Sequence, residues 1–196
     1  MYRKTCNNKN AVIILHEIYG INCYIEEICT EYNLQGFDVF CPDIIQRERF
    51  LYSEKTEAYQ HFINNKGFEY YKVIEDLISK LKLIYDKVYI IGFSVGATIA
   101  WRCSQHPKCD GIVCCYGSRI RDYIELQPLC PVLLLFAKQD SFDVEYVAEQ
   151  LAGKKNIDIH ILQASHGFMD HYSDCFNKEQ AQISKICIRK FLNRNL

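Results

Sequence analysis

No segment of this chain is apolar for long enough to cross a bilayer. The longest runs, such as Val132 to Ala137, fall far short of the roughly 20 residues a spanning helix needs. Neither sign of charge is in excess: Lys plus Arg total 23 against 24 Asp plus Glu, so no net field draws the chain to nucleic acid or an anionic membrane. No CxxC pair and no Cys/His spacing of a zinc site occurs, and no bound metal is expected. The opening MYRKTCNNKN has charge but no apolar h-region behind it, so a secretory signal is not expected and a cytoplasmic location is. Internal repeats, low-complexity tracts and linkers are also missing. The 196 residues therefore read as one domain, 1–196, long enough to bury a real core. Cysteine is in surplus, at eleven. Several cysteines lie inside apolar runs (Cys41, Cys103, Cys114, Cys115), where the thiol acts as a small buried hydrophobe, and free thiols in a reducing compartment are expected.

The pattern that is present is short apolar runs alternating with helical ones. Strands are expected at Ala11–Leu15, Phe37–Cys41, Val88–Ile91, Gly111–Tyr116, Val132–Ala137 and Ile157–Leu162. Asn22 is placed to cap a helix ending near Leu34 before Gly36, and Asp143 to cap one ending near Leu151 before Gly153. Glu69–Ile84 sets Tyr70, Val73, Ile74, Leu77, Ile78, Leu81 and Ile84 on one helical face, and a closing helix is expected from about Lys178 to Phe191. From Ile44 to Phe68 the periodicity weakens. So long a stretch in a compact domain is expected to be a lid or substrate loop, or to hold a short helix. Buried strands joined through helices, with no hairpin signals, predict an α/β fold: a mostly parallel sheet covered by helices on both faces.

Val88 to Trp101 reads VYIIGFSVGATIAW: a buried strand, Gly-x-Ser-x-Gly, then an apolar helix. That order is the context a nucleophile elbow requires, because only glycine leaves room for so tight a strand-to-helix turn. A serine hydroxyl is a weak nucleophile at neutral pH and needs a base, and the base needs a third group to fix its tautomer. Ligands in parallel sheets bind at the carboxyl ends of the strands, where Glu17, Ser94, Tyr116, Asp140 and His166 all fall. Ser94, Asp140 and His166 follow the order Ser…Asp…His of α/β-hydrolases. Asp143 is an alternative acid, though better placed as a helix cap, and His171 is an alternative base. His160 reads as a sheet residue, while His16, His61 and His106 read as surface or structural. Two backbone N–H groups should hold the oxyanion: Val95, directly after the serine, and Ile18 in the loop after the first strand.

HEIYG near the N-terminus, CPD, GFSVG, CYG, KQD and SHGF occur in order from Ile14 to Phe168, and this set resembles the dienelactone hydrolase family. The resemblance implies an α/β-hydrolase fold without a large cap domain and hydrolysis of an ester or lactone through an acyl-enzyme, with no metal or organic cofactor. Matched residue by residue, it puts Ser94 on the nucleophile, Asp140 and His166 on the acid and base, and Ile18 on the oxyanion donor. Glu17 falls on the glutamate that governs the nucleophile's protonation. Two departures stand out. The best-known members carry cysteine where this chain has Ser94, which favours plain serine-hydrolase chemistry. They also carry an arginine after the catalytic histidine, where this chain has Asp170. Arg119 after CYG, or Arg47 or Arg49 in the loop, is then a candidate for holding substrate charge, with Tyr116 as an accessory residue. The expectation is a monomeric or weakly dimeric serine hydrolase acting on a small ester, thioester or lactone. Short-chain carboxylesterase, thioesterase or peptidase chemistry, and a binding or sensor module on the same fold, are the alternatives.

Overall fold

Alternation along each central strand decides how the molecule is layered. In β2 (Asn10–Leu15), Ala11, Ile13 and Leu15 face one core, while Val12 and Ile14 face another across the sheet. β4 (Lys87–Phe93) divides in the same way, Val88 and Ile90 against Tyr89, Ile91 and Phe93. The computed structural model describes residues 1–195. Besides β2 and β4, its strands are β1 (Tyr2–Lys4), β3 (Asp38–Cys41), β5 (Gly111–Cys115), β6 (Val132–Gln139) and β7 (Ile157–Ser165). The seven run in the order β1-β3-β2-β4-β5-β6-β7, and every neighbouring pair except β1 with β3 is parallel. Helices α1 (Cys23–Leu34) and α6 (Lys178–Asn195) cover one face. On the other lie α2 (Lys55–Asn65), α3 (Tyr71–Leu81), α4 (Val95–Arg102) and α5 (Val144–Ala152). Burying one of the larger core side chains contributes about 1.5–3 kcal/mol, which is why a strand apolar on both faces must sit between two helical layers.

Expected and observed elements differ in a few places. β1 (Tyr2–Lys4), which pairs antiparallel with β3, was not foreseen: a three-residue edge strand exposed on one side carries no periodic apolar signal. The Ile44–Phe68 stretch is mostly ordered structure: 3₁₀ turns at Tyr52–Glu54 and Gly67–Tyr70 flank α2. Only Ala58 and Phe62 of α2 are buried, too few to make the pattern visible. α3 begins later than expected and stops at Leu81; Ile74, Ile78 and Leu81 are buried, but Val73 and Ile84 are exposed. The caps are as read, with Asn22 Oδ1 accepting from Ile25 N and Asp143 Oδ1 from Tyr146 N. β6 and β7 extend past their expected ends, and their pairing resumes beyond a bulge at Gln139↔Ser165. Cys41, Cys103, Cys114 and Cys115 are buried with free thiols.

Candidate active site

Ser94 sits at φ 53° and ψ −114°, a strained left-handed conformation, between the end of β4 and the first turn of α4. The flanking glycines permit the turn. A Cβ on Gly92 would lie 2.3 Å from the Gly96 carbonyl oxygen, and one on Gly96 would lie 2.3 Å from that of Leu15. The second contact means that α4 starts directly against the end of β2, where the Glu17–Ile18 loop begins.

The bulge in β7 sets the other two side chains beside each other. Because Gln139 pairs with Ser165, the next residues of the two strands are Asp140 and His166, and the His166 N–H also donates to the Gln139 carbonyl. The Ser94 hydroxyl lies 2.8 Å from His166 Nε2, and His166 Nδ1 lies 2.7 Å from Asp140 Oδ2. A carboxylate can only accept, so Nδ1 carries the proton and Nε2 is free to accept from the serine. Asp140 Oδ1 takes two further bonds, from the Ser141 N–H and hydroxyl. Burial works against its charge, but the bonds from His166 and Ser141 outweigh that and hold its pKa below the usual carboxylate value.

Around this line lies a cavity of about 600 Å³ whose walls include Ile18, Val95, Lys55, Tyr59, Arg119 and Arg121. Among the described residues, neither the Ile18 N–H nor the Val95 N–H has a hydrogen-bond acceptor. Glu17, nearly buried, also lines the cavity. Burial raises its pKa, opposed by His166 and by the bond from Tyr116, while the neighbouring Asp170 adds to the rise.

Tyr116, the accessory candidate, is not among the residues lining the cavity. It is fully buried; its hydroxyl donates to Glu17 Oε1 at 2.8 Å and its ring packs 5.2 Å from that of His166. It supports two site residues from behind. Arg119 does reach the cavity, bonded to the Tyr59 hydroxyl and paired with Asp122. Arg47 and Arg49 do not line it: Arg47 stacks on Phe50 and Arg49 donates to Cys23 Sγ. His171 faces Glu27 and stacks against Tyr172, and Asp143 is occupied as the α5 cap. His61 contacts the Ile45 carbonyl, His106 the Ser79 hydroxyl and His160 the Asp158 carboxylate, whereas His16 is fully buried.

Other residues at the cavity were not anticipated. Lys55 and Tyr59 stand one helical turn apart on α2, a spacing that would mark a common face only once the helix itself is assigned. Tyr52 also lines the cavity and donates to Asp170 Oδ2 at 2.5 Å, while accepting from Asn22 Nδ2. Asp170, 1% exposed, thus ties the segment before α2 to the loop that carries His166. Among the described residues, no group of three or more His, Cys, Asp or Glu is arranged to hold a metal ion, and no helix is long and apolar enough to cross a membrane.

The chain has relatives among known proteins. The uncharacterized protein YczH of Bacillus subtilis is 39% identical over 175 residues, covering 87% of this chain and 86% of that protein. Carboxymethylenebutenolidase 1 of Cupriavidus pinatubonensis is 21% identical over 198 residues, covering 93% of this chain and 85% of that enzyme. Among solved structures, a Klebsiella pneumoniae protein assigned as a dienelactone hydrolase superimposes with a TM-score of 0.78 at 17% identity, covering 94% of this chain and 87% of its own. It has the same α/β-hydrolase fold. The model of the dienelactone hydrolase family matches residues 1–195. The chain therefore belongs to the dienelactone hydrolase family and is a hydrolase acting on ester bonds.

Proposed function

We propose that this protein is a serine hydrolase that cleaves a small ester or lactone through an acyl-enzyme. The observation carrying the proposal is the unbroken line Asp140–His166–Ser94, with bonds of 2.7 and 2.8 Å and only one consistent tautomer. Ser94 Oγ attacks the substrate carbonyl carbon as its proton passes to His166 Nε2, and Asp140 stabilises the imidazolium. The carbonyl oxygen becomes an anion held by the Ile18 and Val95 N–H groups, which have no other acceptor among the described residues. Collapse breaks the acyl–oxygen bond, and His166 returns the proton to the departing alkoxide. Water then attacks the acyl-enzyme, giving its proton to His166, and the acid leaves as Ser94 regains its hydrogen. In a lactone the departing alkoxide stays tethered, so one ring-opened hydroxy acid is released.

Lys55, Arg119 and Arg121 bring positive charge to the cavity lining. That charge suits an anionic group on the substrate, and of the sequence candidates Arg119 is the one that lines the cavity. Glu17, held by Tyr116, supplies a carboxyl next to the base. Steady-state hydrolysis of p-nitrophenyl esters and of simple lactones by wild type and Ser94→Ala tests the reading. Turnover is expected for the wild type and a loss of at least about 10³-fold for the variant. Equal rates in the two proteins would refute it.

A further inference from the structure

His16 is fully buried, does not line the cavity and takes no part in the proton transfers above. Both its ring nitrogens are nevertheless committed. Nδ1 lies 2.6 Å from the carbonyl oxygen of Glu17, and Nε2 accepts from the Ile44 N–H at 2.9 Å. A carbonyl can only accept and an N–H only donate, so the ring is the neutral Nδ1–H tautomer. Burial pushes its pKa down and favours that form, despite the Asp43 carboxylate 3.8 Å from Nε2.

The Glu17 carbonyl is one end of the peptide unit whose other end is the Ile18 N–H. No peptide bond in the described chain is cis, so the two point in opposite directions from one rigid plane. The Gly20 N–H makes a second bond to the same carbonyl, at 3.2 Å. The carbonyl is thus held from two sides, while the N–H at the far end has no acceptor and belongs to a residue that lines the cavity.

We infer that His16 is a positioning residue for oxyanion stabilisation: by fixing the Glu17 carbonyl, its Nδ1–H fixes the direction of the Ile18 N–H toward the reacting carbonyl. The Nε2 bond to Ile44 anchors the ring against the segment that follows β3, so the imidazole cannot turn away. The inference rests on the serine-hydrolase reading above. It adds a residue that touches no substrate and whose contribution is confined to the transition state, where the oxyanion exists.

Two substitutions separate the two bonds. Asparagine places an amide N–H close to where Nδ1–H lies, and so keeps the bond to Glu17 while losing the one to Ile44. Glutamine reaches toward Nε2 and does the reverse. With p-nitrophenyl acetate, His16→Gln is expected to lose roughly 10- to 100-fold in kcat with KM within about twofold, because a misdirected donor costs less than an absent one. Affinity for an alkyl trifluoromethyl ketone, whose hemiketal oxygen occupies the oxyanion position, should fall by the same factor. His16→Asn should keep kcat within about threefold even where its melting temperature drops.

A wild-type kcat and ketone affinity in His16→Gln would overturn the inference. So would an equal loss in the two variants, which is the signature of a merely structural histidine. If His16→Gln does not fold, His16→Asn still decides, since a loss near 100-fold there contradicts the assignment and retained kcat supports it. Failure of the underlying serine-hydrolase reading shows separately, as wild-type protein that does not hydrolyse the ester or is unaffected by Ser94→Ala, and the inference falls with it.

Discussion

Replacing Asp140 with asparagine should be far more damaging than the loss of one charge suggests, and the hydrogen bonds around the carboxylate give the reason. Oδ1 already accepts two bonds from Ser141, and Oδ2 faces His166 Nδ1. In Asp140→Asn the single carbonyl oxygen is drawn to the Ser141 donors, which leaves the amide NH₂ pointing at Nδ1. Nδ1 must then become the acceptor, and the histidine proton moves to Nε2, where it blocks proton transfer from Ser94. A wrong tautomer of this kind costs about 10⁴-fold in kcat in serine-hydrolase chemistry, about 5.5 kcal/mol at roughly 1.4 kcal/mol per decade. Asp143→Ala is the matched control. It removes the cap on α5 and should cost about 1 kcal/mol of stability, a melting-point drop of about 2–4 °C for a chain of this size. Its kcat should stay within twofold. The assay is ester hydrolysis beside thermal denaturation for wild type and both variants. The reasoning is refuted if Asp140→Asn keeps a tenth of wild-type kcat, or if Asp143→Ala loses activity out of proportion to its stability.

Further outcomes follow from the same geometry. Gly96→Ala puts a Cβ 2.3 Å from the Leu15 carbonyl oxygen, a clash with backbone that no rotamer relieves, and should cost more than about 3 kcal/mol; solubility and thermal denaturation will show it, and a wild-type melting curve would mean that α4 does not abut β2 so closely. The pKa of Glu17 is raised by burial, so as pH climbs above about 4.3 the unfolded chain releases this proton while the folded chain keeps it. Wild type should therefore lose stability relative to Glu17→Gln from about pH 4.3 up through the folded-state pKa and run parallel beyond it; a wild type that gains stability relative to Glu17→Gln over that range would contradict the assignment. Arg119→Ala should raise KM about fivefold for the p-nitrophenyl half-ester of succinate and leave p-nitrophenyl butyrate unchanged, since a half-exposed arginine shared with Asp122 contributes only about 1 kcal/mol.

Much of this arrangement could be read from sequence because it rests on local chemistry. Gly92, Ser94 and Gly96 declare the elbow, since the turn tolerates no other residue type at either flank. Asn22 and Asp143 announce their caps, and the apolar runs announce strands buried on both faces. What escaped depends on contacts between distant parts of the chain. α2 buries just two side chains, so its apolar pattern is faint although Lys55 and Tyr59 on it line the cavity. Tyr116 follows a strand's carboxyl end like the other site residues, yet its φ of 44° accompanies a side chain sent into the core toward Glu17. Nothing local distinguishes His16 from a surface histidine; its role emerges when the segment after β3 delivers the Ile44 N–H to its ring. Asp170 stands out in the sequence only as the residue in place of the family's arginine; its bond from Tyr52, far away in sequence, emerges only in the fold.

The central claim is that Ser94 is an activated nucleophile, and covalent labelling with a fluorophosphonate, followed by peptide mapping, tests it most directly. The geometry predicts stoichiometric modification of wild type on the peptide containing Ser94, none in Ser94→Ala, and strongly slowed reaction in His166→Ala. Folded wild-type protein that does not label, or that labels equally with Ser94 removed, would contradict it.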